Sequence, residues 1–316
     1  MFIGIDLGGT NIAAGLVDGS GKLIYPVKTP TLPERGLDEV INDMAKLIQE
    51  LVKYQKDHGL KKVKGVGIGV PGPVSPDLSN IYYCTNLGWN DVPLKSILEE
   101  RVNLPVFLDN DANLAALAEH EVGALKDIEN GILLTLGTGV GGGLIFNNKP
   151  YRGSHGLGEV GHIVVGDNFY HCNCGKNGCF ETFASATAII KYTEKLLNEQ
   201  AYSGSLLDDV YRDGNLNAKA VIDAAKEGDE LALDSFERYT KYLAIGMNNL
   251  INLLDPDVIA LGGGVAHAGD FLYKAIEDKL HKLAFVENFP SARIVPAEMG
   301  NDAGIVGAAF LAKLEV

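Results

Sequence analysis

Twice in this chain an apolar strand runs into a short Gly/Thr turn and straight back out into another strand. The first instance is Phe2-Ile3-Gly4-Ile5-Asp6, the turn Leu7-Gly8-Gly9-Thr10, and a return over residues 12–17. The second is Ile132-Leu133-Leu134-Thr135-Leu136, the turn Gly137-Thr138-Gly139-Val140-Gly141-Gly142-Gly143, and a return over residues 144–146. This weak internal repeat predicts two related units whose turns face one another across a cleft. It also excludes two common phosphate motifs. Gly137, Gly139 and Gly142 formally match G-x-G-x-x-G, but that fingerprint needs a helix after the glycines. Here Leu144-Ile145-Phe146 and the turn Asn147-Asn148-Lys149-Pro150 follow instead. A G-x-x-x-x-G-K-[ST] loop is absent.

What remains is a pair of hairpin turns with exposed N–H groups and hydroxyls at Thr10 and Thr138. Such turns are either plain tight hairpins or nests able to hold phosphate oxygens. A third run, Gly262-Gly263-Gly264, closes another strand at residues 258–261 and favours the second reading. Asp6 stands beside the first turn. A bare carboxylate there repels phosphate, yet it suits a residue that holds a water on Mg²⁺.

Between the repeats, apolar residues at Leu37, Val40, Ile41, Met44, Leu47, Ile48, Leu51 and Val52 follow helical spacing and predict a helix over 37–54. Strands are expected at 23–28, 63–70 and 106–108, and helices at 94–101, 113–121, 184–198, 218–226, 230–254 and 303–314. Residues 154–181 are rich in Gly, His and Cys and poor in periodicity. Alternating strands and helices define an α/β class. No Pro/Gly/Ser linker divides the chain. Two lobes are expected, 1–118 plus 301–316 as the smaller and 119–300 as the larger, with the last helix returning to the first lobe.

A length of 316 residues suffices for one large domain or two modest lobes. The net charge of −14 argues against nucleic acid and anionic membranes as partners, and no local basic patch offsets it. It does not exclude a nucleotide carried by backbone N–H groups and Mg²⁺. Met1 leads directly into the first strand, with no basic start, cleavage site or bilayer-length apolar run, so a cytoplasmic location is expected.

Three of the four cysteines, Cys172, Cys174 and Cys179, fall within eight residues. In a reducing compartment such a group reads as metal ligands, with Zn²⁺ the best match to a Cys₃His set. The fourth ligand is His162 or His171. His171 adjoins a ligand already, so His162, arriving from a separate segment, is preferred. A structural zinc would hold Glu159, His162 and Glu181 around one point, and such a group of donors and acceptors suits sugar hydroxyls. Cys84, standing alone, reads as a half-buried thiol.

The segment Val106-Phe107-Leu108-Asp109-Asn110-Asp111-Ala112-Asn113 passes from strand to helix. Polar residues at the carboxyl end of such a strand point into a ligand crevice. Asp111 is placed to accept a hydroxyl proton during phosphoryl transfer. The competing expectation is that Asp109 or Asp111 serves as the helix N-cap. A pair of glutamates is also the signature of glycoside hydrolysis, but that reading leaves the phosphate-type turns unexplained.

Together these motifs resemble the ROK family of bacterial sugar kinases and repressors, and within it the glucokinases, over essentially the whole chain. The resemblance rests on Asp6-Leu7-Gly8-Gly9-Thr10-Asn11, Gly69-Val70-Pro71-Gly72-Pro73, Asn110-Asp111-Ala112-Asn113, the 136–143 turn, Gly158-Glu159-Val160-Gly161-His162, Cys172-x-Cys174-Gly175-x-x-Gly178-Cys179-x-Glu181 and Gly262-Gly263-Gly264. It implies an actin-like, hexokinase-type two-lobed fold with a nucleotide and sugar cleft, and ATP-dependent phosphorylation of a sugar 6-hydroxyl. Asp111 would be the base. Gly72, Asn110, Asp111, Glu159, His162 and Glu181 would hold the sugar. Asp6, Gly8, Gly9, Thr10, Asn11, Thr138, Gly139, Gly263 and Gly264 would hold Mg-ATP. His162, Cys172, Cys174 and Cys179 would hold a structural zinc. A homodimer or homotetramer is implied, with lobe closure limiting ATP hydrolysis.

Glucose is the expected sugar. The alternatives are N-acetylmannosamine, N-acetylglucosamine, fructose, mannose or allose, or a sugar-binding regulator without chemistry. A repressor of the same family would carry a DNA-binding helix-turn-helix before the first strand, whereas this acidic chain starts at the strand.

Overall fold

The computed structural model describes residues 1–154, 156, 158–200, 202–286 and 291–316. Positions 155 and 157 of the Gly/His/Cys-rich stretch lie outside the described residues. The chain divides into two compact units. The first is Met1–Leu133, Gly143–Gly158 and Ala297–Val316; the second is Leu134–Gly142 and Glu159–Pro296.

In chain order the elements are β1 (Phe2–Leu7), β2 (Asn11–Val17), β3 (Leu23–Pro30), α1 (Leu37–Asp57), β4 (Val66–Val70), β5 (Ile81–Cys84), β6 (Trp89–Val92), α2 (Leu94–Val102), β7 (Val106–Asn110) and α3 (Asp111–Val122). They continue with β8 (Gly131–Leu136), β9 (Val140–Phe146), β10 (Lys149–Pro150), α4 (Glu181–Ala184), α5 (Ala186–Asn198), α6 (Leu207–Arg212), α7 (Ala218–Lys226) and α8 (Glu230–Leu254). The last are β11 (Val258–Gly262), α9 (Asp270–Leu283), β12 (Arg293–Pro296) and α10 (Ala303–Glu315). Among the described residues no helix is long and apolar enough to cross a membrane.

The two large sheets repeat one topology. The first runs β3-β2-β1-β4-β7 and the second β10-β9-β8-β11-β12. In both, the third, second, first, fourth and fifth strands of the set stand side by side. The weak repeat in sequence is therefore a repeat of strand order. In the first sheet β1–β2 and β2–β3 are antiparallel, while β1–β4 and β4–β7 are parallel. Parallel strands are covered on both faces and read as unbroken apolar runs. β4 is buried at every position, as is β1 except at Asp6.

One face is covered by α1, whose Val40, Ile41, Met44, Ile48 and Leu51 are fully buried at helical spacing. The other face takes α10, and it does so at backbone contact. A Cβ on Gly4 would overlap the carbonyl of Ile305, and one on Gly67 would overlap that of Ala308. Gly307 in turn lies against the carbonyl of Leu114 in α3. The small residues of the last helix and the glycines of β1 and β4 are thus two sides of one contact.

The predicted helix at 184–198 is divided. Ser185 is extended, and its side chain accepts from the Ala188 N–H at 3.1 Å, capping α5 and separating it from α4. The cap chemistry of one serine overrides the continuous helical pattern.

Gly67→Ala should lower the unfolding free energy by about 1–3 kcal/mol, because neither backbone can retreat without disturbing the sheet. A urea midpoint equal to that of the wild type would show that α10 does not need this close approach.

Candidate active site

Within the first unit, the register of the sheet brings several strand ends level. Asp6 pairs with Gly69, and Val70 with Asn110. Beyond β1 the turn is closed by the Gly8 N–H donating to Asn11 O at 3.0 Å and by the Thr31 hydroxyl donating to Gly8 O at 2.6 Å. Thr10 and Asn11 are exposed. Asp6 is half-buried, and burial holds its carboxyl above the usual carboxylate range. Gly304 of α10 lies beside it, where an added Cβ would come within 2.7 Å of Asp6 Oδ2. The carboxylate therefore sits against the first turn of α10, a position that the helix dipole favours for an anion.

At the end of β7 the N-cap of α3 is Asn110, not Asp109 or Asp111. Asn110 Oδ1 accepts from the N–H groups of Ala112 and Asn113 at 2.9 and 3.2 Å. Its Nδ2 donates to Gly72 O at 3.4 Å, tying the cap to the loop after β4. Gly72 has a φ of +133°, and a Cβ there would overlap Tyr83 O. Asp111 becomes the first helical residue, half-buried, with Oδ1 accepting from Ala112 N at 2.8 Å. Asp109 turns inward. It is 3% exposed, and its carboxylate accepts from Asn110 N at 2.8 Å, Asn113 Nδ2 at 3.0 Å and Arg152 Nε at 2.6 Å.

Within the second unit, His162, Cys172, Cys174 and Cys179 each offer a ligand atom, and these atoms lie within 4.8 Å of one another. His162 Nδ1 is 3.5 Å from Cys172 Sγ, and the sulfurs of Cys174 and Cys179 are 3.6 Å apart. Two left-handed glycines shape this knuckle, Gly175 at φ +82° and Gly178 at φ +87°. Gly178 also passes too close to Gly166 O to carry a side chain. One nitrogen and three sulfurs at this spacing form a donor set that fits a tetrahedral zinc.

The cluster is joined to Glu181, whose Oε1 accepts from Cys172 Sγ at 2.9 Å. Burial and this bond together push the Cys172 thiol above its ordinary range. Glu159, exposed, begins the turn that carries His162 and accepts the His162 N–H on its own carbonyl at 3.1 Å. His171 is exposed and not part of the four-residue group.

The second turn lies close to the same residues. A Cβ on Gly139 would come within 2.6 Å of Glu181 Oε2. The Gly137 carbonyl accepts from Ala186 N at 2.8 Å, and that of Thr138 from the Thr187 hydroxyl at 2.8 Å. Next to this turn opens a cavity of about 320 Å³, lined by Leu136, Thr138, Ile222, Gly264 and Val265 and rimmed by Asn217, Lys219, Asp223 and His267. Gly263, at φ +84°, lies against the backbone of Leu136 and allows β11 to close this wall.

Sequence reasoning missed several residues here. Arg152 carries no motif, and the α7 residues Asn217, Lys219 and Asp223 sit on an ordinary amphipathic helix. Arg238 of α8 was also unread. Its guanidinium stands 4.1 Å from the Phe169 ring and 4.4 Å from that of Tyr192, with Phe183 and Tyr242 at 5.0 and 5.1 Å. These cation–π contacts fasten the Cys-rich segment to α8. Only proximity in space reveals them.

Two sheets of identical strand order, with glycine turns at their strand ends, define the actin-like, hexokinase-type α/β class. The sequence profile of the ROK family matches residues 2–315, and the chain belongs to the ROK family. It is 39% identical over 315 residues to a glucokinase of Halalkalibacterium halodurans, covering 99% of this chain and 94% of that protein. A ROK family glucokinase from Streptomyces griseus, solved in complex with glucose and AMPPNP, superposes with a TM-score of 0.82 at 35% identity and covers 99% of both chains. The ROK hexokinase from Thermus thermophilus gives a TM-score of 0.81 at 32% identity, covering 99% of this chain and 98% of that one.

Asn110→Ala should destabilise the protein by about 1 kcal/mol through loss of the α3 cap, and Asn110→Asp should restore most of it. Equal denaturation midpoints for the alanine variant and the wild type would rule out a structural weight for this cap.

Proposed function

We propose that this chain transfers the γ-phosphoryl group of ATP to the 6-hydroxyl of glucose. The observation that carries the reading is its full-length similarity to the glucokinase solved with glucose and AMPPNP, combined with a half-buried Asp111 held at a strand end by the Asn110 cap. Phosphoryl transfer asks little covalent chemistry of a protein. It asks for positioning, charge stabilisation and a group to take the hydroxyl proton.

Asp111 accepts that proton as the sugar oxygen attacks phosphorus. Its backbone is fixed as the first residue of α3, so the carboxylate is presented from a rigid element. Sugar recognition is assigned to Gly72, Asn110 and Asp111 in the first unit and to Glu159, His162 and Glu181 in the second. The carboxylates accept from hydroxyls and the Asn110 amide and the imidazole can donate to them. Nucleotide recognition is assigned to Asp6, Gly8, Gly9, Thr10 and Asn11 in the first unit. In the second it falls to Thr138, Gly139, Gly263 and Gly264, with the apolar walls of the 320 Å³ cavity suited to adenosine. Bound Mg²⁺ supplies charge neutralisation at the phosphates, and Asp6 is the residue that would hold its water.

His162, Cys172, Cys174 and Cys179 would hold zinc in a structural role. With one nitrogen committed to the metal, the other ring nitrogen of His162 keeps a fixed direction toward a hydroxyl. The same reading carries a cytoplasmic homodimer or homotetramer.

The test is sugar-dependent ADP release with Mg-ATP across glucose, mannose, fructose, N-acetylglucosamine and N-acetylmannosamine. Glucose should give the highest kcat/KM. Asp111→Asn should lower kcat by about 10²–10⁴-fold while glucose binding persists. Near-normal turnover in that variant would remove Asp111 from the mechanism, and preference for another sugar would move the substrate. Elemental analysis should find about one zinc per chain, held by the Cys₃His set; a folded, active, zinc-free protein would contradict that assignment.

A further inference from the structure

We propose that Arg152 is a positioning residue for phosphoryl transfer, acting through the buried carboxylate of Asp109 on the segment that carries Asn110 and Asp111. The inference rests on the kinase reading above for the roles of Asn110 and Asp111. The linkage itself is independent of that reading.

Arg152 follows β10, is half-buried, and donates from Nε to Asp109 Oδ2 at 2.6 Å. The other carboxylate oxygen, Oδ1, accepts from Asn110 N at 2.8 Å and Asn113 Nδ2 at 3.0 Å. Asp109 thus holds three donors, two of them on the turn that begins α3. That turn is also where Asn110 Oδ1 takes the N–H groups of Ala112 and Asn113, and where Asn110 Nδ2 reaches Gly72 O. The chain of contacts runs from guanidinium to carboxylate to the backbone of Asn110. It ends one residue from the proposed base.

The physical argument turns on burial. Asp109 is 3% exposed, so its charge is tolerated because a cation and two neutral donors meet it. Removing the cation from a buried pair leaves an uncompensated charge, which is costlier than never having had the pair. The carboxylate must then move toward water, which disturbs the bonds to Asn110 N and Asn113 Nδ2. A displacement of about 1 Å at a reacting group lowers turnover by about 100-fold. Replacing Asp109 by Asn in the same background removes the stranded charge and keeps an acceptor for the two neutral donors.

The experiment uses full-length wild type, Arg152→Met, Arg152→Lys, Asp109→Asn and the double variant Arg152→Met/Asp109→Asn. Glucose-dependent ADP release gives kcat and KM, and amide hydrogen exchange reads residues 110–113 without any substrate. Arg152→Met should lower kcat about 10- to 100-fold, with little change in KM for ATP. It should also speed exchange at Ala112 and Asn113. The double variant should recover about ten-fold of the lost kcat and restore the slow exchange.

A kcat within about two-fold of wild type in folded Arg152→Met, or a double variant no better than Arg152→Met, would overturn the proposal. Where Arg152→Met does not fold, Arg152→Lys carries the test. Its point charge keeps the ion pair but loses the Nε geometry, so kcat should fall about three- to ten-fold, and unchanged kcat with unchanged exchange would overturn the role. If wild type itself phosphorylates no sugar, the kinase reading fails. Exchange at 112 and 113 then still decides whether Arg152 orders this turn.

Discussion

The site geometry of the first unit depends on how closely a helix can lie on a sheet. Because Gly4 and Gly67 expose bare backbone to α10, the helix rests on β1 and β4 without intervening side chains. The contact fixes the relative height of the strands, and the parallel register does the rest. β1, β4 and β7 finish together, so Asp6, the Gly72 loop and Asn110 emerge at one edge. Ligands of open α/β sheets gather at such carboxyl ends. A packing constraint in the core thus decides which side chains can act together at the surface.

The second sheet has the same strand order but a different use of its turn. After β1 the turn is pinned by Thr31 from the start of the next loop; after β8 it is pinned by Ala186 and Thr187 at the start of α5. The second arrangement sets Gly139 against Glu181, and Glu181 in turn is joined to Cys172. A glycine turn, the Glu181 carboxylate and the Cys/His cluster are thereby linked through single contacts. Arg238 of α8 also stands over the rings of Phe169 and Tyr192, so the segment that carries the Cys/His cluster is tied to α8 as well.

Much of this was legible in the chain. The strand–turn–strand repeat showed through because glycine and threonine turns are short and local. The Cys/His group showed through because its four residues are of few types and lie close in the chain, and the fold brings their ligand atoms together. Local propensity was less informative where caps compete. Asp109, Asn110 and Asp111 are all good N-cap residues, and only the inward rotation of Asp109 onto Arg152 leaves Asn110 to take the position. The break at Ser185 was hidden for the same reason, since its neighbours on both sides favour helix. β5 and β6 were missed because Ile81-Tyr82-Tyr83-Cys84 and Trp89-Asn90-Asp91-Val92 bury only their first and last residues, a pattern too short to show a period. Arg152 and the setting of Arg238 could not be found, because the partner of Arg152 is 43 residues away and the rings around Arg238 come from α4, α5 and the Cys-rich segment as well as from its own helix.

The three aspartates at the strand ends show how one residue type is given separate tasks by its surroundings. Asp109 is deeply buried but meets a guanidinium and two neutral donors, so it is a structural charge, satisfied within the protein. Asp6 is shifted by burial alone, and its carboxyl holds a proton more firmly than an exposed one would. Such a group gains most from an external cation, whose charge replaces the water that burial removed. Asp111 lies between these extremes, half-buried at the first turn of a helix. There its backbone is fixed at the helix start by the Asn110 cap. An acidic chain can in this way keep carboxylates inside: Asp109 is met by the protein's own cation and donors, Asp6 is shifted by burial, and Asp111 is held at a helix start.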